Sequence, residues 1–186
     1  MNKFDIVIDC DGVITNTVKM FIELNNKLNN MKEDWTKVRG WDFHPLCSNL
    51  KTKRDVDDLF NHEELYENPI FFRDCVDVIN RLNKKNNIAI CTMGENKNIR
   101  NKLKMFEKYL PDVNVIPFVS SFKIYNKDSL KTRIIIDDHI RNLNTNSAEL
   151  KILFEPYYKY DWNENWNGKV AVNWEQIERM VDEYLQ

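Results

Sequence analysis

The chain has only three histidines, His44, His62 and His139, and they are scattered, which argues against a histidine-built metal or hydrolase site. Its four cysteines, Cys10, Cys47, Cys75 and Cys91, show no Cys-x-x-Cys pairing for zinc. Cys10 and Cys91 lie in or beside apolar runs, so the set reads as the reduced thiols of a cytoplasmic protein and not as a disulfide framework. Positive charge is not in surplus either: 27 Lys and Arg against 29 Asp and Glu give a formal charge of -2, with no basic stripe, so a nucleic-acid polymer is not an expected partner. No apolar run approaches the length of a membrane-spanning helix, and no membrane partner is expected. Met1-Asn2-Lys3 leads directly into an apolar strand, giving the expectation of no cleavable leader. No internal repeat or low-complexity linker divides the chain, and 186 residues at 42% hydrophobic content fit a domain of ordinary size with a real core.

What is present begins at residue 4. Phe4-Asp5-Ile6-Val7-Ile8-Asp9 is a short apolar strand that continues into Cys10-Asp11-Gly12-Val13, placing two carboxylates at its carboxyl end. Asp-x-Asp-Gly also makes ordinary turns after strands. Two adjacent negative charges nevertheless repel, and a hard cation such as Mg²⁺, which takes oxygen ligands, is the simplest species to hold them together. Two further apolar runs end in a comparable way. Asn87–Cys91 reaches the hydroxyl of Thr92, and Thr132–Ile136 reaches the consecutive carboxylates Asp137 and Asp138. Lys127 lies ten positions before Asp137, in a loop where Lys123 and Lys131 are rivals for the same role. The carboxyl edge of a parallel sheet is where open α/β folds hold ligands, and a metal, a lysine and a hydroxyl are what phosphoryl transfer requires of a protein.

In order and strand context these stations resemble the haloacid dehalogenase (HAD) superfamily of phosphatases, and within it the 5'(3')-deoxyribonucleotidases. The resemblance covers nearly the whole chain, including Ile152-Leu153-Phe154 and the closing Asn173-Trp174-Glu175-Gln176-Ile177. It implies Mg²⁺-dependent hydrolysis of nucleoside monophosphates through an aspartyl-phosphate. Asp9 would be the nucleophile and Asp11 the acid, then the base. The metal would be held by the Asp9 side chain, the Asp11 backbone carbonyl and the Asp137-Asp138 pair, with Asp138 the direct ligand and Asp137 its support. Thr92 would contact phosphate and Lys127 would offset negative charge. Two departures stand out: Met93-Gly94 follows Thr92 where the family usually has a second small hydroxyl residue, and His139 stands where an Arg is common. A phosphatase for a phosphosugar or another small metabolite, a phosphotransferase and a non-catalytic phosphate-binding regulatory protein are the alternatives. The last predicts a lost station, and none is lost.

The expected fold class is α/β, a Rossmann-like parallel sheet flanked by helices, with residues 1–16 and 72–186 as the core. The next strand comparable to the first begins only near Asn87, and the resemblance makes residues 17–71 a small helical cap over the site. Val18, Phe21, Ile22, Leu24 and Leu28 predict a helix from about Thr17, and Val56, Leu59 and Phe60 a short second one. Beyond Arg73 the pattern predicts helices around Asp77–Leu82 and over Asn98–Tyr109, strands over Val113–Phe118 and Leu150–Phe154, and a final helix with Trp174, Ile177, Met180 and Val181 inward. For substrate contacts, Phe21, Trp35, Trp41 and Phe43 are aromatic candidates to stack on a base, against the reading that they form the interior of the cap. Asn16, Met93 and Gly94 are the polar and backbone candidates, and Thr15 is a candidate cap for the first helix. The Tyr- and Trp-rich loop 155–169 is expected to pack across the sheet edge. The oligomeric state is not fixed by the sequence, and a homodimer stays open.

Overall fold

The computed structural model describes residues 4–40, 43, 46–120, 127–157 and 159–186. Trp41, His44, Lys123 and Tyr158 lie outside the described residues. Six parallel strands form one sheet in the order β3-β2-β1-β4-β5-β6, with β1 at Phe4–Asp9, β2 at Ile88–Gly94, β3 at Asn114–Val119, β4 at Thr132–Asp137, β5 at Leu150–Phe154 and β6 at Lys169–Ala171. The three central strands carry uninterrupted apolar runs because both of their faces are covered. Ile6, Ile8, Ile88, Ile90, Ile134 and Ile136 face one side, where α4 (Cys75–Asn83) and α7 (Trp174–Leu185) pack together. Val7, Ala89, Cys91 and Ile135 face the other. On the first side α5 (Asn96–Tyr109) also contacts β2 and β3, and its Met105 and Phe106 join the same core; on the second the short α6 (Ile140–Thr145) contacts β4 and β5, and its Leu143 clusters with Ile135.

The strand order reverses at β1, which leads to β2 on one side and β4 on the other. Ile8 is in register with Ile90 and Ile136, and Asp9 with Cys91, so the strand ends bearing Asp9, Thr92 and Asp137 stand side by side. This is the switch point at which open α/β sheets form a crevice.

Between β1 and α4 the chain makes α1 (Thr17–Asn29), a short 3-10 turn at Trp35–Lys37, α2 (Lys53–Phe60) and α3 (Glu64–Glu67). Two adjacent chain crossings join this insertion to the sheet. Asn16 donates its backbone N–H to the Ile70 carbonyl at 2.8 Å, and Phe72 donates to Ile14 at 3.0 Å. Phe21 stacks on Phe43 with ring centroids 4.2 Å apart, and Phe60 tilts against both, forming the insertion's own apolar interior.

The last helix reaches back to the loop after β1. Trp174 is fully buried against Phe154, and its indole N–H donates to the Val13 carbonyl at 3.1 Å. Replacing Trp174 by Phe keeps a ring and removes the donor. Urea unfolding of that variant is expected to show a loss of about 1–3 kcal/mol, the cost of an unpaired buried carbonyl; unchanged stability would mean that the bond adds nothing.

Candidate active site

The loop after β1 is wound tightly. The Cys10 carbonyl accepts from the backbone N–H groups of Ile14 and Thr15, and Gly12 donates to the Thr15 carbonyl. Gly12 has φ +76°, and a Cβ there would stand 2.3 Å from Asp138 Oδ2, so both the backbone and the space require glycine. The turn therefore brings the Asp138 carboxylate hard against the β1 loop.

Lys127 joins the two strands chemically. Its ammonium, buried with only 4% of the residue exposed, lies 2.7 Å from Asp9 Oδ2 and 2.7 Å from Asp137 Oδ2. Burial alone would push that ammonium down, but Asp137 and Asp9 outweigh it and hold it well above the usual lysine range. Of its rivals, Lys131 is exposed. Asp9 Oδ1 accepts from the Cys10 N–H at 2.7 Å. Asp137 is saturated: Oδ1 accepts from the His139 N–H, and Asn142 Nδ2 reaches both oxygens at 3.0 and 3.1 Å. Asp138 differs sharply. Its backbone carbonyl accepts from Trp162 Nε1 and Asn163 Nδ2, yet no hydrogen bond to its carboxylate is present among the described residues.

Asp9, Asp137 and Asp138 offer oxygens within 4.8 Å of one another. Among the described residues Lys127 is the one lysine paired with these three buried carboxylates, and negative charge there is in excess. Burial, opposed by Lys127 and reinforced by Asp137 and Asp11, pushes the Asp9 carboxyl up to about 7. Burial and the neighbouring Asp137 and Asp9 also push Asp138 well above the usual carboxylate range. An all-oxygen, electron-rich set with one carboxylate lacking a donor fits a hard divalent cation. Thr92 supplies a second opening: its hydroxyl is fully buried and, among the described residues, is the buried side-chain oxygen or nitrogen without a hydrogen-bond partner.

Asp11 points toward the insertion. Its Oδ1 accepts from Thr17 Oγ1 at 2.9 Å and from the Tyr66 hydroxyl at 2.8 Å, while Oδ2 pairs with Lys102 Nζ. A cleft of about 330 Å³ opens beside it, lined by Asp11, Phe60, Asn61, Met93, Gly94 and Lys102 among others. That size suits a small molecule. Met93 is 40% exposed there. At Gly94 a Cβ would meet Asn98 Oδ1 at 2.1 Å, so glycine allows α5 to start close to β2.

The chain matches the family "5' nucleotidase, deoxy (Pyrimidine), cytosolic type C" over residues 2–185. It belongs to that family. Solved structures share the fold: a hydrolase from Pseudomonas syringae (14% identity, 98% of this chain and 99% of that one, TM-score 0.58), a Bacillus subtilis protein named as a HAD-hydrolase and bound to magnesium (14%, 97% and 100%, 0.61), and a predicted phosphoglycolate phosphatase from Haemophilus somnus (13%, 95% and 96%, 0.62). No curated protein sequence gives a significant match. The chain is thus a HAD-superfamily phosphoric monoester hydrolase of the 5'-nucleotidase type. No helix among its described residues is long and apolar enough to cross a membrane.

Several expected contacts fall elsewhere. Phe21 and Phe43 are 0% and 1% exposed and stack on each other, leaving no face for a base; the insertion needs them as its core. Trp35 is half-buried, edge-on to Tyr157 at 5.2 Å with Lys19 over its ring, and it does not line the cleft. Trp41 lies outside the described residues. Asn16 is buried and caps α1, accepting from the Lys19 N–H at 3.1 Å, so it fills the role considered for Thr15. The aromatic tail loop does more than cover an edge, because Trp162 holds the Asp138 carbonyl and stacks between His139 and Tyr160. Lys102, Tyr66, Thr17 and Asn142 were not anticipated. For Lys102 there was a signal: it occupies the buried stripe of α5 with Ile99, Met105 and Phe106.

Without a divalent ion, Asp9 has a folded-state pKa above its unfolded value of about 4. Its contribution to stability is then present below about pH 4 and lost as pH rises through about 7, and Asp138 acts in the same direction. The gap in melting temperature between Mg²⁺-loaded and chelator-treated protein is expected to widen from about pH 5 to about pH 8 and to shrink in Asp138→Asn. A gap independent of pH would contradict the charge account.

Proposed function

We propose that this enzyme is a Mg²⁺-dependent 5'(3')-deoxyribonucleotidase that converts a nucleoside monophosphate to nucleoside and phosphate through an aspartyl-phosphate on Asp9. The observation that carries the reading is the buried Thr92 hydroxyl, which has no partner among the described residues and lies one position beyond the register mate of Asp9. A buried hydroxyl left unpaired is costly, and a phosphate oxygen would relieve it. The family supports the nucleotide as substrate, and the oxygen-rich set Asp9, Asp137 and Asp138 supports the metal.

In the proposed reaction an Asp9 oxygen forms a bond to phosphorus as the ester P–O bond breaks, and the leaving oxygen takes the proton of Asp11. Water then gives a proton to Asp11 and attacks phosphorus, breaking the Asp9–phosphorus link and releasing phosphate. Lys127 offsets charge on the nucleophile, and Thr92 donates to a phosphate oxygen. Asp9, Asp138 and the Asp11 backbone carbonyl would hold Mg²⁺, with Asp137 as support. The bound ion would supply charge neutralisation at the phosphate. Residues 17–71 act as the cap and residues 1–16 with 72–186 as the core. Met93 and Gly94 contact substrate in the cleft between them. The four free cysteines, raised by burial where they are shifted, suit a cytoplasmic enzyme.

Phosphate release from deoxy- and ribonucleoside monophosphates and from sugar phosphates, with Mg²⁺ and with chelator, tests the reading. Deoxynucleotides are expected to be the best substrates, only with Mg²⁺, and Asp9→Asn to lose about a thousandfold or more. Preference for a sugar phosphate would overturn the substrate, and activity retained in Asp9→Asn would overturn the mechanism.

A further inference from the structure

Lys102 is 1% exposed, on the inward stripe of α5, and is not among the stations that the strand ends provide. A buried ammonium persists only where it is paired. Here it pairs with Asp11 Oδ2 and donates to the Met93 carbonyl at 3.0 Å, on the residue after Thr92, while lying 5.4 Å over the Tyr66 ring. Tyr66 in turn gives its hydroxyl hydrogen to Asp11 Oδ1, beside Thr17. Both oxygens of one carboxylate are thus held from three elements: α5 beside the sheet, the start of α1, and α3 in the insertion. The same Lys102 and Asp11 line the cleft.

We infer that Lys102 and Tyr66 are positioning residues that aim Asp11 at the leaving oxygen, with Tyr66 making that aim conditional on the seating of the insertion. The inference rests on the proposed role of Asp11 as proton donor. When Asp11 gives its proton and the ester P–O bond breaks, the carboxylate left behind faces the Lys102 ammonium, which offsets the new charge without moving. Thr17 secures Oδ1 in either case, so loss of Tyr66 costs less than loss of Lys102.

The test compares two substrates of the intact enzyme with Mg²⁺. A deoxynucleoside monophosphate expels an alkoxide that needs a proton, whereas p-nitrophenyl phosphate expels a phenolate that does not. kcat/KM covers the steps up to departure of the leaving group. Lys102→Met is expected to lower it about a hundredfold for the nucleotide and only a few-fold for p-nitrophenyl phosphate, in keeping with the usual size of general-acid assistance. Tyr66→Phe is expected to show the same selectivity at smaller size, and it carries the test if Lys102→Met does not fold. Equal losses on both substrates, or none, would overturn the inference. Asp11→Asn separates the two layers: if it shows no such selectivity, the reading of Asp11 as the acid fails, and the role of Lys102 falls with it.

Discussion

A buried ammonium shared between two carboxylates, Lys127 between Asp9 and Asp137, is the constraint on which the rest depends. Removing charges from water is costly, and the attraction repays that only with good geometry and further hydrogen bonds. The sheet supplies the geometry by placing β1 and β4 in register, and Asn142 and the His139 N–H complete the shell of Asp137. Asp138 is left out of that settlement. Among the described residues the site therefore carries more negative charge than Lys127 neutralises, which a divalent cation would balance.

The same principle operates on the insertion side. Asp11 is held by a second lysine, and that lysine comes from a helix while its partners Tyr66 and Thr17 come from the inserted segment. The two aspartates of one loop are thus governed by different surroundings. Asp9 belongs to the rigid sheet edge, and Asp11 to the cleft between sheet and insertion. Two carboxylates two residues apart can take different roles because their environments differ in this way.

How much of this was legible in the sequence follows from what each residue contacts. β1, β2 and β4 were readable because burial on both faces writes an apolar run that ends in a polar group. α1, α5 and α7 were readable from helical periodicity. β6, of three residues, and α6, of six, are too short to write a period, and α3 is shorter still. The order of Asp9, Thr92, Lys127 and the Asp137-Asp138 pair was visible, and so was the family, which the match over residues 2–185 shows. Lys102 could be told from the other lysines of α5 only by its place in the apolar stripe with Ile99, Met105 and Phe106, since a paired buried lysine and a solvated one are the same letter. Phe21 and Phe43 were misleading for a related reason: an aromatic suits an apolar interior as well as a base, and only packing decides between them.

The most direct measurement is to trap the covalent enzyme during turnover and reduce it with borohydride, which converts an aspartyl-phosphate to homoserine, then to locate the change by peptide mass spectrometry. The account predicts the modification at Asp9 and at no other carboxylate. Modification at Asp11, Asp137 or Asp138, or turnover with no trapped carboxylate under conditions that trap a known aspartyl-phosphate, would contradict it.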